Sequence, residues 1–328
     1  PSPFSFSRRG AEQVVMETVF KQDVFATAQN VEIRPGRTVK LLHLKGPSDC
    51  KTTLFFVHGS LAKMQQFEGL IKYFATKYSI VAYDGVGCGS SPRPRDARAY
   101  CPNALSADLL AIFNRYATEI NVGVGHSFGS SLVMRLATQF TAKNMEGIIL
   151  LGSALSVPAG GSPIFKLPLC VLECLKPILS RQFKRMAFHS STSDEIKSRS
   201  AVDNPMYVAK SFYSQLVWVK KEAIVNLIIP ALILHGESDR IITVQNAVAL
   251  NSTLSNSDIH IIKNASHQVM EEKTDEVAAL IEKFINEKIF QNLQKHGIIE
   301  LVKEGRGDNK KHLTQEEEDR LLLEHTSF

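Results

Sequence analysis

Short apolar segments alternate with amphipathic stretches along most of the chain. Short apolar runs are typical of buried strands, whereas apolar residues that recur about every 3.6 positions indicate helices. The strand candidates are residues 52–57, 80–83, 121–125, 146–151, 231–235 and 258–262. Helical spacing is found at residues 104–117, 129–140 and 274–289. This alternation predicts an α/β protein with a mostly parallel sheet covered by helices on both faces.

Two regions depart from the alternation. Residues 31–46 predict two extended strands that turn at Pro35-Gly36 and form an antiparallel leading edge. Residues 154–222 contain helices interrupted by prolines, which predicts a helical lid inserted into the sheet domain. The sequence thus predicts four parts: a first core segment 1–153, a lid 154–222, a second core segment 223–290 and a charged tail 291–328. Roughly the first dozen residues are expected to be disordered. The tail is expected to be helical or partly disordered.

Composition and charge narrow the classes of partner. With 328 residues and 44% hydrophobic content, the chain can bury a full core. Residues 154–222 hold ten Lys and Arg against five Asp and Glu, and the rest holds 28 against 28, so the net charge of +5 lies in the predicted lid. A surplus of this size is too small for a nucleic-acid binder, and nucleic acid is excluded as an expected partner.

The cysteines and the apolar runs bear on the compartment. The five cysteines are odd in number and have no CxxC or zinc-type spacing, which predicts reduced thiols and no metal site. We expect an intracellular, cytoplasmic protein, with peripheral membrane or organelle association left open. No apolar run approaches the roughly 20 residues of a membrane-spanning helix. The start lacks Met and a signal core, and we interpret it as trimmed.

A candidate nucleophile lies between a strand candidate and a helix candidate. The segment Gly125-His126-Ser127-Phe128-Gly129 has the form GxSxG. A nucleophile raised above a sheet needs a sharp turn, and the small Gly125 and Gly129 let strand and helix approach closely. Ser127 is therefore predicted to be a nucleophile. The alternative is a glycine-rich turn in which Ser127 is a helix N-cap.

A serine hydroxyl needs a base to take its proton and an acid to orient that base. His267 follows residues 258–262 and precedes the last helix, so it is the predicted base. Glu237 and Asp239 follow residues 231–235, and Asp239 is preferred because a loop of that length turns it towards the histidine. Glu237 would more naturally face solvent.

The other histidines near strand ends are interpreted as structural. His58, before Gly59, ends the strand candidate 52–57, and His126 adjoins the nucleophile. His235 ends the strand candidate before the acid. Each is expected to be a hydrogen-bonded scaffold residue and not a base.

Backbone N–H groups are the candidates for an oxyanion hole. Phe128 follows the nucleophile, and Ser60 lies in the loop after residues 52–57. Leu61 remains the alternative to Ser60, because the sequence does not determine which of two adjacent loop residues directs its N–H into the site. The glycine-rich turn 83–94 has no GxGxxG pattern and is predicted to support the floor of the site, not to bind phosphate.

The motifs FFVHG, DGVGCGSS, GHSFGS, HGESD and NASH, in this order, resemble the α/β-hydrolase (abhydrolase-domain) family. The resemblance implies a mostly parallel sheet of about eight strands, a helical lid, no cofactor, and a triad of Ser127, Asp239 and His267. The chain departs from the family where relatives have another glycine or a proline and it has Ser60-Leu61, which affects the oxyanion donor. Epoxide-hydrolase relatives carry Asp as nucleophile, so Ser127 favours acyl transfer.

The expected substrate is a small-molecule carboxylic ester, lipid-like, cleaved through an acyl-enzyme. Residues 164–188 mix large apolar residues with five cations, and such a surface is suited to an anionic membrane. An ordinary lid packed on the core is the simpler interpretation and is slightly preferred. Some lipid-acting relatives linked to acyltransferase activity carry an acid shortly after the histidine, here Glu271 and Glu272, for which helix capping or solvent exposure is preferred.

Other functions remain open at this point. Peptidase, thioesterase and lipid acyltransferase activities use the same machinery. A weakly active adaptor is the alternative from another class, and the C-terminal Thr326-Ser327-Phe328 would fit a PDZ groove by strand addition.

Overall fold

The structure is a computed structural model that describes residues 23–139, 144–155, 163–199 and 204–295. Within these residues the strands form one eight-stranded sheet in the order β1-β2-β4-β3-β5-β6-β7-β8. The strands are β1 Gln29–Arg34, β2 Arg37–Leu44, β3 Thr52–Val57, β4 Ser79–Asp84, β5 Ile120–His126, β6 Met145–Leu151, β7 Ala231–Gly236 and β8 Ser257–Ile262. The predicted strands are all present.

The sheet is antiparallel at one edge and parallel elsewhere. Strand β2 pairs antiparallel with both β1 and β4, and every pairing from β4 to β8 is parallel. The turn between β1 and β2 places Gly36 at φ 69°, a left-handed conformation that glycine adopts without a steric penalty. The predicted α/β-hydrolase architecture with an antiparallel leading edge is therefore confirmed.

Helices follow most of the strands. They are α1 Glu68–Phe74, α2 Pro102–Tyr116, α3 Phe128–Ala137, α4 Leu169–Ala187, α5 Asp194–Arg199, α6 Met206–Tyr213, α7 Lys221–Ile224, α8 Val244–Asn251, α9 Val269–Glu272 and α10 Thr274–Phe284. Short 3-10 helices occur at Met64–Phe67, Ala97–Tyr100 and Pro163–Lys166, and a π-helical turn at Ile285–Phe290. Proline at the first position of α2 suits a helix start, where its missing N–H costs no hydrogen bond.

The central strands carry the core. Strands β3, β4, β5 and β7 are buried along their whole length, which explains their continuous apolar runs. Helices α2 and α3 pack on each other, whereas α1, α9 and α10 form a second group. Two groups of helices around one sheet leave the carboxyl ends of the parallel strands as the edge where loops meet.

Between β6 and β7 the described chain forms the helices α4 to α7. Helix α4 is long but has two buried residues, Leu172 and Ala187, and contains Pro177. The lid role of residues 154–222 stays a prediction. Among the helices in the described ranges, none is both long and apolar enough to span a bilayer.

The chain divides into two compact units, Pro1–Ile289 and Phe290–Phe328. In the second unit the described part is a short helix, α11 Gln291–Lys295. The predicted disordered N-terminal segment, the part of the predicted charged tail 291–328 that follows residue 295, and the predicted PDZ-binding C-terminus lie outside the described residues.

Candidate active site

Ser127 occupies a strained turn between β5 and α3. Its backbone lies at φ 51° and ψ −123°, a conformation that costs a non-glycine residue about 1–3 kcal/mol. The Ser127 N–H donates to Leu151 O at 2.8 Å, which ties the turn to the end of β6. The surrounding sheet therefore holds the serine in a sharp elbow above the strand ends.

The glycines on both sides of Ser127 are required by close backbone contacts. A Cβ at Gly125 would lie 2.6 Å from Ser130 N and Cα. A Cβ at Gly129 would lie 2.1 Å from Val57 O, the last residue of β3. Neither site has room for a methyl group, so the helix can approach the strands closely at these positions.

His267 and Asp239 form a buried hydrogen-bonded pair. The distance from His267 Nδ1 to Asp239 Oδ2 is 2.8 Å. The other oxygen, Asp239 Oδ1, accepts the backbone N–H groups of Ile241 at 2.8 Å and Ile242 at 2.9 Å. Because a carboxylate accepts, His267 donates through Nδ1 and carries its lone pair on Nε2, as a general base requires.

Burial and hydrogen bonding act in opposite directions on Asp239. Burial would raise the pKa of this carboxyl, but the neighbouring His267 and the N–H of Ile242 outweigh burial and hold the pKa below its ordinary value. Asp239 is therefore ionised at neutral pH. Glu237, the alternative acid, is exposed, so the structure brings Asp239 and not Glu237 to the histidine.

Ser127 and His267 line one cavity of about 670 Å³. Both are buried, with 7% and 3% of their surface exposed. In the described part of the chain, Ser127 Oγ forms no hydrogen bond, so the serine and the histidine are brought to one cavity but not joined. Catalytic hydrogen bonds are often long in the absence of substrate and close when it binds.

The oxyanion candidates lie on both sides of the serine. Phe128 is the first residue of α3, where the N–H has no carbonyl of a preceding turn to bond. Ser60 and Leu61 both line the cavity, and Leu61 has a positive φ of 55°. The choice between the Ser60 and Leu61 N–H groups stays open.

The three scaffold histidines hold backbone groups. His58 Nε2 accepts from Gly85 N at 2.7 Å, and His126 Nε2 donates to His267 O at 3.0 Å. His235 Nε2 donates to Ile242 O at 2.7 Å. Burial lowers the pKa of all three imidazoles, so each is neutral at pH 7. His126 thus supports the backbone of His267.

The glycine-rich turn after β4 supports one side of the cavity. The buried Asp84 carboxylate accepts the Met64 N–H and the Ser90 N–H, each at 2.8 Å. Gly89, at φ 47°, leaves no room for a Cβ beside this carboxylate. Asp84 therefore joins the loop after β3 to the loop after β4, and both loops line the cavity.

Glu272 has a role that the sequence did not indicate. Its carboxylate accepts the backbone N–H of Ser266 at 2.6 Å, the N–H of His189 at 2.5 Å and the hydroxyl of Thr192 at 2.5 Å. Glu272 therefore connects the loop that carries His267 to the segment after α4. Capping and solvent exposure, the preferred interpretations, do not describe it, and two of its three partners lie about 80 residues away in sequence.

Residues from the segment between β6 and β7, one in α4 and two in the loop between α6 and α7, form the apolar wall of the cavity, and sequence reasoning did not place them there. They are Phe183, Leu216 and Trp218, beside Tyr213. Burial raises the pKa of Tyr213 to about 12, against the smaller lowering effect of the neighbouring Ser60 side chain. Asn204, just before α6, donates to Leu61 O at 2.5 Å, so the segment between β6 and β7 contacts the predicted oxyanion loop directly.

The site carries no cluster of metal ligands in the part of the chain that the structure describes: no three His, Cys, Asp or Glu side chains are placed to hold an ion. The cysteines Cys50, Cys88, Cys101, Cys170 and Cys174 are free.

The elbow, the His–Asp pair and the sheet order define an α/β hydrolase. The chain belongs to this class: the family model described as serine aminopeptidase, S33, matches residues 48–274. It is similar to Protein ABHD8 of Homo sapiens, with 30% identity over 267 residues, 77% of this chain and 60% of that protein. The chain thus spans about 60% of the length of this relative and of its Macaca fascicularis counterpart.

Solved structures agree on the fold. The chain is similar to an esterase from Exiguobacterium antarcticum, with a TM-score of 0.69 and 13% identity, covering 79% of this chain and all of the other. A thermophilic esterase from Thermogutta terrifontis has a TM-score of 0.68 and 18% identity, covering 80% of this chain and all of the other. At these identities the likeness concerns the fold alone.

Proposed function

We propose that the protein hydrolyses carboxylic esters of lipid-like small molecules through an acyl-enzyme on Ser127. The observation that carries this proposal is the Asp239–His267 pair at 2.8 Å, in the same cavity as a serine held on a strained elbow. An imidazole oriented by a carboxylate, in one cavity with a serine, is the arrangement that activates a hydroxyl.

In the first half of the reaction, Ser127 Oγ attacks the ester carbonyl and its proton passes to His267 Nε2. Asp239 stabilises the imidazolium that forms. The N–H group of Phe128, together with that of Ser60 or Leu61, would bind the oxyanion of the tetrahedral intermediate. When the intermediate collapses, the C–O bond to the alcohol breaks and His267 returns the proton to the leaving oxygen.

In the second half, water attacks the acyl-Ser127 ester. His267 takes a proton from the water, a second tetrahedral intermediate forms, and Ser127 Oγ leaves with the proton from His267. The carboxylic acid is released and the enzyme returns to its starting state.

The preference for a lipid-like acyl group rests on the wall of the cavity. Phe183, Leu216 and Trp218 supply apolar surface next to the nucleophile. A volume of about 670 Å³ is within the range of sites for small organic ligands, and apolar walls favour an alkyl chain through the hydrophobic effect.

The test is labelling with a fluorophosphonate together with hydrolysis of p-nitrophenyl esters of increasing chain length. Ser127→Ala and His267→Ala are compared with the controls Ser252→Ala and His260→Ala, which change exposed residues outside the cavity. We expect the first pair to lose labelling and about 10⁴-fold or more in kcat, and the controls to retain both.

Two results would contradict the proposal. If amino-acid arylamides are cleaved and esters of every length are not, the activity is that of a peptidase on the same triad. If the folded parent protein is neither labelled nor active on any acyl substrate, the adaptor alternative is favoured.

A further inference from the structure

A second concave site lies apart from the catalytic cavity. It is a groove of about 710 Å³ that shares no lining residue with the cavity of Ser127. Its walls come from the second half of α4, the segment after it, α5 and the loop after β7. We call it the basic groove, because its lining includes the cations Arg181, Lys184, Arg185, Lys197 and Arg240.

Within the residues that the structure describes, carboxylates do not balance the cations of the basic groove. Among the described lining residues, Asp194 is the one with a carboxylate, and this exposed side chain lies 3.9 Å from Lys197 Nζ. In the described ranges, Arg181, Arg185 and Arg240 form no ion pair or side-chain hydrogen bond. The groove therefore presents several unpaired guanidinium groups to whatever occupies it.

The spacing of the cations on α4 concentrates the charge. Arg181 precedes Lys184 by three positions and Arg185 by four. Both later cations therefore lie on the same helix face as Arg181, with their Cβ atoms about 5–6 Å from its Cβ atom. Like charges at this spacing repel and destabilise the helix unless an anion lies among them. The arrangement is costly for an empty surface and favourable for a multivalent anion.

The remaining lining residues suit phosphate oxygens. Hydroxyl groups come from Ser180, Ser190 and Ser238, whereas the Ser198 hydroxyl donates to Glu195 O, and Pro177 and Phe188 add apolar surface. Arginine binds phosphate through two parallel hydrogen bonds, and serine hydroxyls donate to the oxygens that remain. The volume exceeds that needed for a single inorganic ion and matches an organic ligand.

We propose that the basic groove binds an organic molecule that carries two or more phosphate groups. This differs from general adhesion to a charged membrane, because three of the five cations of residues 164–188 line one groove, while Lys166 and Lys176 do not. The source of the phosphates is either a soluble metabolite or a lipid headgroup, and the chemistry of recognition is the same for both.

The groove also touches the acid loop. Ser238 and Arg240, the neighbours of Asp239 in sequence, form part of its lining. A ligand held by Arg240 and by Arg181 would join the loop after β7 to α4. This contact is independent of whether Ser127 cleaves esters.

The test is calorimetric titration of the full chain with inositol 1,4,5-trisphosphate, at low and at high salt. The triple variant Arg181→Gln, Arg185→Gln, Arg240→Gln is compared with Lys166→Gln, Lys220→Gln, Lys221→Gln, which removes the same charge from exposed positions outside the groove. We expect binding that weakens with salt, weakens about 100-fold in the groove variant, and is unchanged in the control.

Sedimentation with vesicles separates the two sources. Vesicles of neutral lipid with phosphatidylinositol bisphosphate are compared with vesicles of phosphatidylserine at equal charge. Binding to the soluble phosphate alone indicates a metabolite. Binding to the bisphosphate vesicles that the groove variant loses and the control retains indicates a headgroup.

Two outcomes overturn the proposal. The first is that the folded parent protein binds neither the soluble phosphate nor the bisphosphate vesicles. The second is that both triple variants lose binding equally, or that both vesicle types bind equally and independently of the groove, which would indicate net charge and not a built site. Circular dichroism and melting temperature show that the variants are folded.

Discussion

The elbow around Ser127 and the helices between β6 and β7 enclose one cavity, but they are built in different ways. At the elbow, backbone lies against backbone, and Gly125 and Gly129 have no room for a methyl group. In α4, most side chains are exposed or half-buried, and Leu169, Val171 and Ile178 are 41%, 39% and 64% exposed. The shape of the elbow is therefore set by backbone contacts, whereas the surface of the helices is set by side chains that can be exchanged.

This difference suits the elbow to catalysis and the wall of the cavity to the choice of substrate. A reacting group must be held within a fraction of an ångström, and close backbone contacts provide that precision. A wall made of Phe183, Leu216 and Trp218 can change its side chains while the sheet below remains intact. We infer that substitutions in the elbow abolish activity, whereas substitutions in the helices alter the choice of substrate.

The largest expected effect is on the catalytic pair. Asp239→Asn keeps the shape of the side chain but replaces an acceptor with an amide that forces His267 towards the wrong tautomer. We expect kcat to fall about 10⁴-fold with little change in KM. Glu237→Gln, at the exposed neighbouring acid, is the matched control and should change kcat less than about twofold. Steady-state kinetics on the ester that is cleaved fastest measures kcat and KM of both variants. If Glu237→Gln loses kcat and Asp239→Asn does not, Glu237 is the acid of the triad.

Much of the elbow could be predicted from the sequence, because its determinants are local. A buried strand, Gly125, Ser127 and Gly129 follow one another within a few residues, and steric demands on them are visible in the residue types. His267 and Asp239 follow the neighbouring parallel strands β8 and β7, so chain order alone brings their loops to one edge of the sheet.

The contacts of the inserted helices could not be predicted in the same way. Asn204 reaches Leu61 O across 143 residues, and Glu272 reaches His189 N across 83. Such pairs depend on how α4 to α6 dock on the sheet, and neither hydrophobic spacing nor motif order specifies that docking. The choice between the Ser60 and Leu61 N–H groups stayed open for a related reason. The direction of one N–H group in a loop is not encoded in the pattern of residue types.

A smaller effect, on stability, tests the backbone contacts at the elbow. Gly129→Ala would place a Cβ 2.1 Å from Val57 O, so α3 or β3 must move. We expect the free energy of unfolding to fall by about 3 kcal/mol, the upper end of the range that is typical of overpacked cores, because the added Cβ would meet backbone. Gly85→Ala is the control, because its Cβ would meet His58 Nε2 at 3.4 Å and the N–H that His58 accepts is kept. Urea denaturation measures the free energy of unfolding of both variants. Equal losses of stability would show that the elbow is packed no more tightly than its surroundings.

The smallest effect concerns Glu272, where the two regions meet. Glu272→Ala removes the acceptor of three hydrogen bonds and leaves the N–H groups of Ser266 and His189 without it. We expect the free energy of unfolding to fall by about 1–3 kcal/mol. Hydrogen exchange should increase in the segment after α4 and in the loop of His267, while the sheet stays protected, because the carboxylate joins these two segments and not the strands.

Glu276→Gln, an exposed acid on α10, is the matched control and should change stability by less than about 0.5 kcal/mol. Glu272→Gln keeps one acceptor oxygen without the charge, so an intermediate loss is expected. If Glu272→Ala instead leaves exchange after α4 unchanged, the helices between β6 and β7 are held by their apolar contacts alone. They would then be docked as firmly as the elbow, and the distinction between a rigid catalytic floor and an exchangeable wall would not hold.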